Sequence, residues 1–217
     1  MAETADQSPR VPRTQAMRRT ETRTRLLDAT IECLIELGYA NTTTPLVCER
    51  AGLSRGALLH HFPSKIELVI AAVAHLAART GENMRRQAEE DPSAGGGPTE
   101  RSLELYWQNF SGPLFYAALE LWVAARTDHE LHKHVYDFER ILGKSIRSLS
   151  ESLGTPSAES RAAFNDQMEL TLHLLRGMAL QRILRRDDRE RRRLFELWKR
   201  TVLTALGPGD TKPRTPK

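Results

Sequence analysis

The sequence of 217 residues predicts an all-α fold. Apolar residues recur every three or four positions along most of the chain, which is the spacing of amphipathic helices. No long stretch alternates apolar with polar residues, and aromatic residues form only 6% of the chain, so strand signals are scarce. Proline, glycine and capping residues divide the chain into segments of helical length. The total length fits one large domain or two small ones.

The composition excludes several classes of protein. No apolar run approaches the roughly 18–20 residues that a membrane span requires, and the N-terminus lacks the apolar core of a secretory signal. We therefore expect a cytoplasmic protein with no membrane partner. The two cysteines, Cys33 and Cys48, are too few for a disulfide scaffold, and their spacing does not match a zinc site. The 32 basic residues exceed the 28 acidic ones by 4, which permits a polyanionic partner.

The N-terminal segment predicts a basic arm followed by two helices. We expect residues 1–19 to form a flexible arm, because they are polar and contain prolines and several arginines. The first predicted helix runs from about Glu21 to Leu37 and ends at Gly38. A shorter second helix starts at a threonine–proline cap and runs to Ala51.

Two further helices follow a glycine turn. Ser54 has the position of an N-cap for a short third helix, Arg55–His61. Ser64 and Glu67 have the spacing of a capping box, in which serine is the N-cap and glutamate the third helical residue. They predict the start of a long fourth helix that runs from Lys65 to about Glu90.

The segment from Thr42 to Lys65, TTTPLVCERAGLSRGALLHHFPSK, carries the functional signal. Two short helices that meet at a glycine turn form a helix-turn-helix pattern, whose second helix enters the major groove of DNA. Similar helical hairpins occur in enzymes and bundles, so the pattern alone leaves DNA binding open. The candidate DNA-binding residues are small or can hydrogen-bond bases or phosphates. They are Thr42, Thr43, Ser54, Arg55, Gly56, Ala57, His60, His61 and Lys65.

The stretch from about Thr20 to Leu76 resembles the N-terminal domain of the tetracycline-repressor-like (TetR) family of transcriptional regulators. The matching residues are Gly38-Tyr39, Thr42-Thr43, Ala51-Gly52-Leu53-Ser54-Arg55-Gly56 and Leu58-x-His60-x-Phe62-Pro63-Ser64-Lys65. The resemblance implies a homodimer that binds a palindromic double-stranded DNA operator and is usually a repressor. It also implies a variable C-terminal domain for a small-molecule effector. Leu59 stands where the family usually has an aromatic residue, and Pro45 and Leu46 replace its usual basic and acidic residues.

The second half of the chain predicts five more helices, separated by proline, glycine and aspartate residues. Their expected bounds are Thr99–Phe110, Pro113–Arg126, Asp128–Leu153, Ser157–Leu184 and Asp188–Leu206. We expect a helix-turn-helix domain at residues 20–66 and a ligand-binding and dimerisation domain at 67–207. The long fourth helix joins them, and residues 208–217 form a polar tail.

Aromatic residues concentrate between residues 107 and 138, where they form either core or the wall of an apolar ligand cavity. The candidate effector-binding residues are Trp107, Phe110, Phe115, Tyr116, Leu119, Trp122, His173 and Arg176. The resemblance implies that the last two long helices form a four-helix bundle with those of a second subunit. The candidate interface residues are Met168, Leu172, Leu175, Ala179, Leu194, Trp198 and Val202. The same apolar side chains also fit an internal core.

Other clusters predict no separate function. The histidines at 129, 132 and 134 do not share one helix face, so we expect no metal site and no cofactor. We interpret the arginine-rich stretch Arg182–Arg193 as a solvated joint between helices. Four arginines of the arm are better candidates for DNA contacts: Arg10, Arg13, Arg18 and Arg19.

The sequence contains no nucleophile–base pairing, glycine-rich phosphate loop or metal spacing, so an enzyme is not expected. The expected function is a ligand-responsive transcriptional repressor. An activator or dual regulator with the same DNA-binding domain remains an alternative at this point. The sequence predicts neither the effector nor the operator.

Overall fold

The computed structural model describes residues 14–90, 97–110, 112–153, 161–185 and 187–206. Within these ranges the chain forms nine α-helices and no strand, which confirms the all-α prediction. The helices are α1 (Gln15–Asn41), α2 (Thr44–Ala51), α3 (Arg55–His61), α4 (Lys65–Glu90), α5 (Pro98–Asn109), α6 (Pro113–Ala125), α7 (His129–Leu153), α8 (Arg161–Leu184) and α9 (Asp188–Leu206).

Helix α1 begins earlier than the sequence predicts. The side chain of Thr14 accepts a hydrogen bond from the backbone N–H of Met17 at 3.3 Å and caps the helix. Arg18 and Arg19, which we expected in a flexible arm, therefore lie in the first turns of α1. The predicted arm up to residue 13, most of the loop after α4 and the C-terminal tail lie outside the described residues.

The end of α1 is interrupted at Gly38. This glycine has φ 76° and ψ 170°, a left-handed backbone that residues with a Cβ rarely adopt. The chain then makes one more short turn to Asn41. The predicted helix end at Gly38 is therefore correct for the regular part of α1, and the interruption turns residues 39–41 toward α4 and α6.

The first four helices share one core. Its fully buried members include Leu26 and Leu27 of α1, Val47 of α2 and Leu58 of α3. Two side chains of α4, Leu68 and Ala72, complete it. This core therefore extends beyond residue 66, where we expected the domain to end.

Helix α4 also belongs to the two cores of the C-terminal half. Near its start, Val69 and Val73 pack with Leu121 of α6 and Leu131 of α7. Near its end, Met84 packs in a cluster that contains Phe164 and Phe195, from α8 and α9, among others. One continuous helix of 26 residues thus connects all three cores. In the described part of the chain, no single helix meets the length and hydropathy needed to cross a membrane, although α3 and α4, bent by 72°, meet the criterion jointly.

Candidate DNA-reading surface and effector cavity

The turn between α2 and α3 holds the two helices at a fixed angle. Gly52 has φ 62°, the left-handed conformation that ends a helix. The guanidinium of Arg25, on α1, donates to the carbonyl oxygens of Ala51 at 2.5 Å and Gly52 at 3.4 Å. A cation at this position also complements the negative end of the α2 dipole. Sequence reasoning missed Arg25, because nothing near it in sequence indicates a contact 26 residues away.

Helix α3 turns its small and polar residues outward. Ser54 caps it by accepting the backbone N–H of Ala57 at 3.2 Å. The buried Leu58 anchors the opposite side of the helix in the core. Ser54, Arg55, Gly56 and His60 are exposed, and Ala57 and His61 are half-buried. We call these six outward residues, together with Thr43, the reading surface.

The two threonines before α2 have different environments. Thr43 is exposed, and its hydroxyl accepts the backbone N–H of Leu46 at 3.4 Å, so it caps α2. Thr42 is only 1% exposed, and its hydroxyl donates to the carbonyl of Gly38 at 2.8 Å. The expectation that Thr42 hydrogen-bonds a phosphate is therefore wrong for this conformation, because its donor is buried and used inside the protein.

Lys65 lies at the start of α4, against the end of α1. Its ammonium group donates to the carbonyl of Tyr39 at 2.8 Å and lies 4.1 Å from the centre of the Tyr39 ring. Burial lowers the pKa of Lys65 below its ordinary value. An ammonium group has three donors, so this bond leaves others for a phosphate.

The histidines at the end of α3 adjoin each other. The rings of His60 and His61 meet edge to face, with centroids 5.5 Å apart. Burial lowers the pKa of His61, and the neighbouring His60 and the arginines of α1 lower it further. His61 is thus mainly neutral at pH 7. Arg18 and Arg19 are exposed at the start of α1, whereas Arg10 and Arg13 lie outside the described residues.

A cavity of about 570 Å³ lies between α4, α5, α6, α7 and α8; we call it the main cavity. Four of the eight predicted effector-binding residues line it: Phe110, Phe115, Trp122 and Arg176. Trp107, Tyr116, Leu119 and His173 are not among its lining residues. A small cavity of about 220 Å³ between α7 and α8 is lined by His173 and shares Arg176 with the main cavity.

Trp107 packs between α5 and α9 and does not line the main cavity. Its ring stacks on the ring of Phe195 with centroids 4.6 Å apart, and the guanidinium of Arg191 lies 4.7 Å above it. Arg192 binds both carboxylate oxygens of Glu104 at 2.9 Å. The arginines at 191 and 192 are therefore half-buried partners of α5, which corrects the interpretation of this stretch as a merely solvated joint.

The wall of the main cavity that α4 provides was missed by sequence reasoning. The middle turns of α4 carry small residues on the side that faces the cavity, and these short side chains leave the cavity open. They are Ala74, Ala77, Ala78 and Gly81. Spacing of three and four residues among small side chains on one long helix was the available signal.

Three side chains form a polar network beside the main cavity: Trp122 and Arg176 line it, whereas Glu139 lines the small cavity. The indole N–H of Trp122 donates to Glu139 Oε1 at 3.0 Å, and Arg176 Nη2 donates to Glu139 Oε2 at 3.1 Å. The guanidinium of Arg176 also lies 4.9 Å from the centre of the Trp122 ring. Glu139 therefore orients both side chains and balances the charge of Arg176.

The predicted interface residues of α8 and α9 lie in the core of the chain itself. Met168, Leu175, Ala179 and Val202 are buried, and Leu172, Leu194 and Trp198 pack against the same core. Within one chain these side chains therefore form core, and their role between subunits stays a prediction. The same two helices carry other apolar side chains that are at least half exposed. They are Leu170, Leu180, Ile183, Leu184 and Leu197, which we call the outer apolar face.

Comparison with known proteins identifies the fold. Residues 26–72 match the family described as bacterial regulatory proteins, tetR family. An HTH-type transcriptional regulator of Mycobacterium tuberculosis is 31% identical over 198 residues, which cover 89% of this chain and 96% of that protein. The chain belongs to the TetR family. It is a transcriptional regulator with an N-terminal helix-turn-helix and a helical C-terminal domain.

Two further comparisons concern individual transcriptional regulators. The transcriptional repressor KstR of Mycolicibacterium smegmatis is 35% identical over 81 residues, 37% of this chain and 38% of that protein. The crystal structure of the transcriptional regulator FadR from Bacillus subtilis, in complex with stearoyl-CoA, has a TM-score of 0.58. That alignment covers 84% of this chain and 98% of FadR at 14% identity, and so shows a shared fold.

Proposed function

We propose that the protein is a repressor that binds a palindromic operator as a homodimer and is released by a small-molecule effector. The observation that carries the proposal is the course of α4. Its first residue, Lys65, holds the end of α1 through Tyr39. Further along the same helix, residues from Ile70 to Arg85 line the main cavity. A ligand in that cavity therefore touches the helix on which the DNA-binding helices rest.

The reading surface supports binding in the major groove. The exposed guanidinium of Arg55 has the reach and geometry for a bidentate contact with guanine, and Ala57 suits a thymine methyl group. Gly56 is exposed and has no side chain, which favours close approach of the backbone to DNA. Thr43, His60, His61 and Lys65 are assigned to phosphate contacts that set the register on the duplex.

The outer apolar face supports the homodimer. Exposed leucines on two neighbouring helices of one subunit can pair with the same face of a second subunit and form a four-helix bundle. A two-fold axis through this bundle relates the two reading surfaces. Operator half-sites must then lie about one helical turn, roughly 34–36 Å, apart.

The response to effector requires two states with different affinity for DNA and ligand. The DNA-competent state holds α4 in the position that sets the distance between the two reading surfaces. An effector that prefers another position of α4 lowers operator affinity by the ratio of its affinities for the two states. Two comparisons support the proposal: FadR, which shares the fold, was solved in complex with stearoyl-CoA. The relative KstR is named a repressor.

Selection from a random DNA pool tests the proposal. Full-length protein at low ionic strength is expected to recover an inverted repeat, with affinity that falls steeply as salt rises. A reporter behind the recovered operator should give more product when the regulator gene is deleted. Recovery of sequences without two-fold symmetry would refute the dimeric operator. Lower output after deletion would favour an activator.

A further inference from the structure

We propose that the effector is an uncharged, largely hydrocarbon molecule with one hydrogen-bond-accepting oxygen that binds the guanidinium of Arg176. The inference rests on the function proposed above and names the chemical class of its ligand. The main cavity has about 570 Å³, within the range of roughly 300–1,000 Å³ for cavities that hold ligands of drug size.

Most side chains that line the main cavity are apolar. Phe115, Phe138 and Leu149 are buried and face it from α6 and α7, and Met84 faces it from α4. The hydroxyl of Tyr106 donates to the carbonyl of Ile146 at 3.1 Å and is therefore engaged within the protein. Such a wall gains most from a ligand whose body is apolar.

Arg176 is already paired with a carboxylate, so the pair has no net charge that an anionic ligand could neutralise. The guanidinium of Arg176 and the carboxylate of Glu139 form an ion pair at 3.1 Å. An anionic ligand at Arg176 would lie beside this carboxylate, and like charges at such distances repel. A neutral oxygen meets no such repulsion.

The mouth of the main cavity does not favour an anion either. Its rim consists of exposed side chains from α4 and α7. Glu82 and Asp137 supply two carboxylates there, Arg85 supplies one guanidinium, and His134 adds an imidazole. The two carboxylates outnumber the one guanidinium.

One donor of Arg176, a residue that lines both cavities, is available to a ligand. Arg176 Nε is buried and has no hydrogen-bond partner within the described residues. A buried donor that stays unpaired is costly, so such groups in native proteins are usually satisfied by a ligand or water. A carbonyl, ether or hydroxyl oxygen satisfies Nε while leaving the pair with Glu139 intact.

Three probes of equal chain length test this class: 2-dodecanone, dodecanoate and dodecylammonium. Binding to the full-length protein is measured by isothermal titration calorimetry. We expect 2-dodecanone to bind at least ~10-fold more tightly than dodecanoate, which meets Glu139. Arg176→Met keeps the length of an apolar side chain and is expected to weaken 2-dodecanone binding by about 10-fold.

Glu139→Gln provides a test in which affinity for the anionic probe should rise. It removes the charge that balances Arg176, so dodecanoate should gain roughly 5-fold or more in affinity while 2-dodecanone changes little. The matched control is Glu130→Gln, an exposed substitution on the same helix, which should change neither probe.

The outcomes separate this inference from the proposed function when operator affinity is measured on the same samples. Tighter binding of dodecanoate or dodecylammonium to the wild-type protein overturns the inference. So does failure of all three probes to bind up to their solubility limits, or unchanged 2-dodecanone binding in Arg176→Met. Binding of 2-dodecanone without any effect on operator affinity leaves the cavity chemistry intact and refutes release by effector.

Discussion

The carboxylate of Glu120 accepts a hydrogen bond from the backbone N–H of Tyr39 at 3.0 Å. The backbone carbonyl of Tyr39 accepts a second hydrogen bond, from Lys65 Nζ at 2.8 Å. The end of α1 is thus held by α6 on one side and by α4 on the other. Because α6 and α4 both line the main cavity, either helix can transmit a displacement from the cavity to the DNA-binding helices.

Glu120→Ala should destabilise the protein by about 1–2 kcal/mol, because a half-buried N–H loses a charged acceptor. The free energy of unfolding in urea is the measurement. Glu130→Ala, exposed on α7, is the control and should change stability by less than about 0.5 kcal/mol. Equal stability of the Glu120 variant and the wild type would contradict the role of this bond.

Gly38→Ala should destabilise more than Gly52→Ala. Both glycines have positive φ, which costs an alanine roughly 1–2 kcal/mol. At position 38 the new Cβ would also lie 2.8 Å from Glu120 Oε2 and displace the carboxylate from Tyr39.

Gly143→Ala is the matched control for these two variants. An added Cβ at this helical position meets nothing within 4 Å, so the variant should gain about 0.5–1 kcal/mol. Thermal unfolding gives the order of stability of the three variants. A Gly38 variant as stable as the wild type would argue against the interrupted end of α1.

Arg55→Ala should relax sequence preference, at a cost of about 1–3 kcal/mol for the selected operator and little for unrelated DNA. Lys65→Gln should weaken all duplexes alike and lessen the salt dependence. Fluorescence anisotropy with the operator and a scrambled duplex separates the two effects. Lys133→Gln, exposed on α7, should bind both duplexes as the wild type does. An Arg55 variant with unchanged preference would remove this residue from the reading surface.

Leu180→Asp should convert the proposed homodimer to a monomer, because it places a charge in the outer apolar face. Leu180 is 50% exposed, so the monomer itself should tolerate the change. Light scattering after size-exclusion chromatography reports the mass. Val123→Asp is the control, since this residue of α6 is 60% exposed and lies outside that face. A dimer that survives Leu180→Asp would place the interface elsewhere.

The ion cluster between α5 and α9 should make stability depend on acid. Burial opposes ionisation of Glu196, but hydrogen bonds from Lys199 and the charges of Lys199 and Arg192 hold the pKa of Glu196 below its ordinary 4.5. A lowered folded pKa contributes stability above pH 4.5, and that contribution is lost as the pH falls through the folded pKa.

Glu196→Gln should therefore be less stable than the wild type at pH 7, with a difference that shrinks as the pH falls below about 4.5. The pKa of Lys199 is shifted in the opposite direction. Burial lowers this pKa, but hydrogen bonds to Glu104 and Glu196 raise it overall. Its contribution is present below pH 10.5 and is lost only as the pH rises through the folded pKa. A difference independent of pH would contradict this account.

Local signals predicted most of the helices. Ser54 and Pro113 act on their immediate neighbours, so their effect on helix starts can be predicted without the tertiary structure. Helix α1 starts earlier than predicted, because Thr14 follows a polar, proline-containing stretch that contributes no apolar periodicity.

Which face of a helix points inward could not be predicted where both faces are apolar. On α8, Leu175 is buried and Leu180 is half exposed, although the two residues are chemically identical. The main cavity depends on how five helices approach one another, so the aromatic cluster marked only some of its lining. The burial of Thr42 likewise depends on the backbone at Gly38, which turns a carbonyl toward its hydroxyl.

The position of Leu68 and Ala72 in the N-terminal core limits how this protein can be recombined. A chimera that joins residues up to 66 to a foreign sensor would omit both side chains, and losing one buried leucine costs roughly 2–5 kcal/mol. That is a large part of the roughly 5–15 kcal/mol that keeps a typical domain folded. A transplantable DNA-binding module must therefore carry α4 at least through Ala72, and the host protein must accept its remaining turns as a helix.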